Sequence, residues 1–275
     1  MNAVVSTITQ LLPAEIITTD PEQITLYSQD VFTVGPPICA VVRPRNIDEV
    51  QALVRACLER GTPIVTRGGG MSYTSGYIAS APDSVLIDMA SMDAIVEVNL
   101  EDRYVTVEAG CSWQKLHEHL APLGVRTAYW GTLSGRYATV GGGLSQNSIF
   151  WGSGQSGTAA DNVLSVSVVT GKGDLLETGS AAQQHAAPFT RHFGPDLTGV
   201  FLGDCGALGI KVRATLPLVP LAGAKGYTSF AFEESGPMLR AMAQISRESL
   251  TTECFGFDPY LQHQRMKRAS LAADA

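Results

Sequence analysis

Arg67-Gly68-Gly69-Gly70-Met71-Ser72 follows the apolar run Pro63-Ile64-Val65-Thr66, and a second glycine stretch, Thr139-Val140-Gly141-Gly142-Gly143-Leu144-Ser145, lies about 70 residues further on. Each reads as a loop between strand-like runs. Glycine permits positive φ and close backbone approach. Successive bare N–H groups can then form a concave nest for an anion. Such a loop suits a phosphate or a flat cofactor. Triple glycine also occurs in ordinary tight turns, so the flanking elements decide the reading.

Those flanks are regular. Ile38-Cys39-Ala40-Val41-Val42, set between prolines, reads as a buried strand. Asn46 caps a helix with Asp48 and Glu49 in its first turn, where the dipole favours negative charge. Val50, Leu53, Val54, Cys57 and Leu58 form its apolar face, and Gly61 stops it. Pro63 to Thr66 is the next strand, completing a strand–helix–strand unit that delivers the chain into the first glycine stretch. Ser84–Asp88 is a strand, and Ile95–Val98 with Tyr104–Glu108 forms a hairpin around Asn99 to Asp102. Ser112 caps a helix to Leu120 with Trp113, Leu116 and Leu120 inward. Residues 124–161 read as a long functional loop. Strands resume at Val163–Val169, turn at Gly171–Asp174, and end with Ile210–Leu218. Beyond Leu221, Tyr227–Phe232 reads as a strand and Pro237–Ile245 as a helix, followed by a polar tail.

With 275 residues, 45% hydrophobic and 16% charged, the chain can bury a sizeable core. A net charge of −7 argues against nucleic acid as a partner, because phosphate neutralisation needs a basic face. No apolar run reaches the roughly 18 residues of a membrane span. The N-terminus lacks the basic and apolar regions of a signal peptide, and the expected location is the cytoplasm. Five scattered cysteines without a Cys-x-x-Cys pair read as reduced thiols. His117 and His119, two apart on a helix, point to different faces, and no metal site is expected.

Rival readings of the glycines fail on context. Gly152-Ser153-Gly154-Gln155-Ser156-Gly157 is a literal Gly-x-Gly-x-x-Gly, yet an irregular loop precedes it and the strand from Val163 follows. A dinucleotide fingerprint needs a strand before it and a helix opening within it. Lys172 lacks the Ser or Thr that completes a phosphate-binding P-loop.

Four motifs carry a family resemblance. Pro63-Ile-Val-Thr-Arg-Gly-Gly-Gly-Met-Ser-Tyr resembles the pyrophosphate loop of the FAD-binding (PCMH-type) domain shared by vanillyl-alcohol oxidase and p-cresol methylhydroxylase relatives. Thr139-Val-Gly-Gly-Gly-Leu-Ser-Gln-Asn is similar to the loop that passes the flavin ring. Asp161 to Asp174 resembles the strand and hairpin after it, and Asp196 to Ile210 the closing segment of the domain. Together they cover about residues 34 to 220, nearest to the FAD-linked oxidases and dehydrogenases acting on glycolate and D-lactate.

The resemblance implies an α+β fold of two α/β-type subdomains with FAD stretched between them. By motif, Arg67, Gly68, Gly69, Gly70, Met71 and Ser72 hold the pyrophosphate. Thr139, Val140, Gly141, Gly142, Gly143 and Ser145 lie near the flavin ring and ribityl chain. Gly157 lets the chain pass close to the cofactor, and Gly206, Gly209 and Ile210 face the adenine half. Two departures stand out. Met71 replaces the histidine through which some relatives attach FAD, which implies non-covalent FAD. Gln155-Ser156 stands where many relatives carry Arg-Tyr, which changes local contacts.

The implied organisation is a segment 1–33, an FAD-binding domain 34–220, and the start of a cap at 221–275. In full-length relatives the cap supplies most substrate-binding side chains, so no catalytic residue is assigned. Tyr129, Trp130, Arg136 and Tyr137 either face the substrate side or simply pack the long loop. Two functional expectations stand together. One is an FAD-dependent oxidoreductase for an alcohol or 2-hydroxy acid, taking a small-molecule substrate. The other is a flavin-binding module without turnover of its own, served by a partner subunit or electron acceptor. An NADPH-linked reductase is a weaker third.

Overall fold

The computed structural model describes residues 2–264 and residue 267. Apart from Lys267, the tail beyond residue 264 lies outside the described residues. The chain builds two sheets. The first begins with helix α1 (Ala3–Leu11), capped by the Asn2 side chain, and strand β1 (Ile17–Thr18). Helix α2 (Pro21–Tyr27) is capped by Asp20 with proline in its first turn. Strand β2 (Ala40–Val42), helix α3 (Ile47–Glu59), and strands β3 (Ile64–Arg67) and β4 (Val85–Asp88) complete the unit.

The strand order is β1-β2-β4-β3, with β2, β4 and β3 parallel and β1 antiparallel at the edge. Parallel strands need both faces covered, and here alternate residues feed two cores. Ala40, Val42, Val85 and Ile87 pack with Val4, Ile8, Val50, Leu53 and Cys57 from α1 and α3. Val41 and Leu86 pack the other way, against Ile38, Ala79 and the α2 residues Ile24 and Tyr27. The Asn46 cap of α3 forms as expected, accepting from the Glu49 N–H, and Gly61 follows at φ +62°. Leu58 departs from expectation: it is 57% exposed, because the apolar stripe of α3 turns there from the core onto an open hollow.

The second sheet comprises β5 (Ile95–Asn99) and β6 (Tyr104–Glu108), then helix α4 (Trp113–Leu120) and β7 (Val125–Thr127). Short helices α5 (Val140–Ser145) and α6 (Ser153–Ser156) precede β8 (Ser165–Val169) and β9 (Leu175–Glu177). Helix α7 (Leu197–Val200) leads to β10 (Ile210–Pro220). The order is β5-β6-β10-β8-β9, antiparallel throughout, with β7 pairing the end of β10. Trp113, Leu116 and Leu120 of α4 fill the core against Val105, Val107, Val166, Val168 and Leu216.

Three expectations are corrected. The 124–161 stretch is not a structureless loop, since β7, α5 and α6 lie within it. The second glycine stretch is itself helical, started by the Thr139 cap. Tyr227–Phe232 forms no strand, because no sheet edge pairs with it, and Tyr227 stays 87% exposed. Helix α8 (Ser235–Arg247) covers the expected helix but contains no fully buried residue.

Leu53 and Leu58 therefore separate by experiment. Leu53→Ala empties a fully buried position and is expected to cost about 2–5 kcal/mol. Leu58→Ala is expected to stay within about 0.5 kcal/mol. Urea midpoints of the two variants check this.

Candidate functional site

A cleft enclosing about 1110 Å³, open solvent at its mouth included, lies at the carboxyl ends of β3 and β4 and reaches the start of β10. Crevices outside the carboxyl ends of parallel strands are the usual ligand site of such sheets. Its walls gather both glycine stretches: Arg67 to Ser72 from one side, Thr139, Gly141, Gly142, Gly143 and Ser145 from another. Gly206, Gly209 and Ile210 line a third. A smaller hollow with Leu58, Val54 and Ile64 in its wall shares Thr66, Gly206, Gly209 and Ile210 with the main cleft.

The two glycine stretches touch. A Cβ on Gly68 would overlap the Thr139 hydroxyl, and one on Gly69 the Tyr137 carbonyl. On the far side of α5, a Cβ on Gly141 would stand 2.7 Å from the Ala109 Cβ. Glycine within a helix costs about 1 kcal/mol relative to alanine. Here it lets α5 sit directly on the Ala109 backbone.

Behind the first stretch, the Arg67 guanidinium lies between two aromatic rings, 4.5 Å from the Tyr27 centroid and 5.4 Å from that of Tyr77. The Tyr77 hydroxyl donates to the Gly70 carbonyl at 2.9 Å, and burial raises its pKa. The Arg67 Nε is buried with no hydrogen-bond partner, and among the described residues no carboxylate pairs with this cation.

Lys211 and Asp204 form the other charged group of the wall. Their Nζ–Oδ1 distance is 2.6 Å and their side chains are 3% and 2% exposed. Asp204 also accepts from the Gly206 and Leu208 N–H groups, which fixes the turn through Cys205 at φ +52°. Burial lowers the Lys211 pKa, opposed by its bond to Asp204. Lys211 stands between the apolar Ile210 and Val212, but Arg213 follows in the same strand, so sequence alone did not single it out. Nothing local marked Tyr27, because its contact with Arg67 spans 40 positions of sequence.

Other residues of interest fall outside the cleft. Val140 is fully buried in the core, and Gly157 packs beside the Asp161 carboxyl. Neither lines the cleft. Tyr129 is also core: burial pushes its hydroxyl up to about 12, and it shares a 2.8 Å hydrogen bond with Ser148, which does line the cleft. Tyr137 is exposed, with Arg136 over its ring. Trp130 belongs to an aromatic cluster with His117, Trp151, Phe150 and Phe255. The literal Gly-x-Gly-x-x-Gly follows Trp151 of this cluster and lines no part of the cleft. The Gly152 N–H donates to the Glu253 carboxylate, and Ser153 and Gly154 add further backbone donors. No group of three metal-ligating side chains occurs among the described residues.

A family profile described as an FAD binding domain matches residues 38–179. The chain belongs to this family. Mitochondrial D-lactate dehydrogenase [cytochrome] of Arabidopsis thaliana is 34% identical over 178 residues, covering 65% of this chain and 30% of the relative. Glycolate oxidase subunit GlcD of Bacillus subtilis is 31% identical over 181 residues, covering 66% and 37%. The chain thus spans about a third of the length of these relatives. Among solved structures, p-cresol methylhydroxylase with substrate bound superposes at TM-score 0.70 with 21% identity, over 81% of this chain and 44% of that one. Alkyldihydroxyacetonephosphate synthase matches at TM-score 0.70 and 20% identity, over 82% and 45%. The fold is therefore the PCMH-type FAD-binding fold.

FAD is the cofactor of this family, and the residues present fit it. The uncompensated Arg67 cation beside a bare glycine loop suits an anionic diphosphate. The side-chain-free cradle at Gly68 and Gly69 leaves backbone at the wall.

Two measurements follow. Gly69→Ala drives a methyl into the Tyr137 carbonyl and is expected to abolish FAD uptake, while Gly171→Ala, in open space, leaves it unchanged. Flavin fluorescence titration distinguishes them. Burial, then the Lys225 and Arg126 charges, lower the His117 pKa from its ordinary 6.5. The folded chain therefore resists protonation, and this site loses stability as pH falls through the ordinary histidine range. Tryptophan emission followed from about pH 7.5 to about pH 5 is expected to report that loosening, and His117→Phe to remove it.

Proposed function

We propose that the chain is an FAD-dependent oxidoreductase, or its flavin-binding half, that oxidises an alcohol or 2-hydroxy acid. The observation that carries this reading is the meeting of the two glycine stretches at one cleft beside an uncompensated arginine. The relatives named for D-lactate and glycolate support the substrate class. So does a bacterial relative named D-2-hydroxyglutarate dehydrogenase, 28% identical over 92% of this chain.

In this reading Arg67 to Ser72 hold the diphosphate through backbone N–H groups, with Arg67 supplying charge. Thr139, Gly141, Gly142, Gly143 and Ser145 lie along the flavin ring and ribityl chain, with Val140 anchoring their helix in the core. Gly206, Gly209 and Ile210 border the adenine half, and Leu58 offers it an apolar wall. Gly157 takes only a supporting place, since it turns the chain next to Asp161. Bound FAD supplies the hydride acceptor for a substrate C–H bond. Positioning is the chain's part: α5 and the first loop fix where the ring can lie, and the apolar wall excludes water. Met71 lines the cleft, and its thioether cannot form a histidyl link, so the FAD is held non-covalently.

The organisation that goes with this function is a segment at 1–33, the FAD-binding domain at 34–220, and the beginning of a cap at 221–275. No helix among the described residues is long and apolar enough to cross a membrane. The five free cysteines support the reducing cytoplasm as compartment. A second reading is favoured by α8, which buries no residue: the chain binds FAD but turns over only with a partner subunit or electron acceptor.

The test is an absorption spectrum of the purified chain, repeated after acid precipitation and after anaerobic D-lactate or glycolate. Flavin bands that leave with the supernatant and bleach with substrate are expected. Bands that no 2-hydroxy acid bleaches select the second reading, and a folded chain without flavin overturns both.

A further inference from the structure

The family profile begins at residue 38, yet the cleft is braced from before that point. Tyr27, the last residue of α2, puts its ring 4.5 Å from the Arg67 guanidinium. The ring is itself fixed. Its hydroxyl donates to Asp88 at 2.9 Å and accepts from Arg43 at 3.0 Å, and the Arg43 guanidinium lies 5.3 Å from its centroid. Asp88 is 2% exposed, so this network is anchored in the first sheet. A few residues on, the same segment grips the loop beyond the glycines. Asp30 accepts from the Ser75 N–H at 3.0 Å, the Ser75 hydroxyl bonds Thr33 at 2.9 Å, and Phe32 meets the edge of Tyr73.

We propose that Tyr27 is a positioning residue for the diphosphate half of the cofactor: its ring holds the Arg67 guanidinium beneath the glycine loop and so fixes the loop's charge and shape. The inference rests on the proposed placement of FAD in this cleft. A guanidinium whose Nε lacks a partner has few polar restraints on its place. The flat faces of Tyr27 and Tyr77 supply that restraint through cation–π contact without neutralising the charge. A carboxylate in the same position would hold the arginine but cancel its attraction for phosphate.

The test compares FAD with riboflavin, which has the same ring and no phosphates, by fluorescence titration of the full chain. Tyr27→Leu and Tyr27→Met both remove the ring, and circular dichroism confirms their fold. Each is expected to weaken FAD about three- to thirty-fold and leave riboflavin unchanged. Tyr27→Phe keeps the ring but loses the hydroxyl bonds that fix it, and is expected to weaken FAD less than the ring-less variants do. In an Arg67→Leu background, loss of the Tyr27 ring is expected to have no further effect. Equal weakening of FAD and riboflavin, additivity with Arg67→Leu, or unaltered FAD affinity in ring-less variants each overturns the inference while the cofactor reading stands. A parent chain that takes up no FAD overturns that reading together with this one.

Discussion

Gly69 lies against the Tyr137 carbonyl so closely that no side chain can stand between them. This contact joins the first sheet, which ends in the Arg67 loop, to the second, which carries α5. Val169, Ile210 and Val212 of the second sheet also pack into the core of the first, so the two units share buried side chains behind a cleft whose near walls meet through bare backbone. A ligand spanning the cleft meets N–H groups from both. An ordinary side chain at this seam would push the walls apart and remove the shape on which the site depends.

Around that seam, charge is arranged with restraint. Asp204 and Lys211 neutralise each other in a buried pair, and Asp88 is taken up by Arg43 and Tyr27. Arg67 alone among these cations is held by aromatic rings rather than by a carboxylate. The wall therefore has a net attraction for anions at one place, beside the glycine loop. The overall charge of −7 makes that local field stand out against its surroundings.

What was legible in the sequence follows the range of the interactions involved. The α3 cap at Asn46, its stop at Gly61 and the β5–β6 hairpin are local, and residues a few positions apart announce them. Leu58 was misplaced because helical spacing identifies a stripe and not where its covering ends. The second glycine stretch reads as a loop on propensity, yet Thr139 caps it and Ala109 and Trp113 pack it into a helix. Tyr227–Phe232 has strand composition, but a strand needs a neighbour. Both glycine stretches were visible; that they touch was not, because the contact spans about 70 residues.

The strand order of the second sheet bears on how the chain comes together. β6 and β8 never pair with each other; each pairs with β10, which ends at Pro220. The β5–β6 and β8–β9 hairpins can form as soon as their own residues emerge during synthesis, but they remain separate ribbons with unpaired edges until β10 arrives between them. The first sheet is complete by Asp88. One wall of the cleft is thus built early, and the wall that includes Gly209 and Ile210 waits on β10.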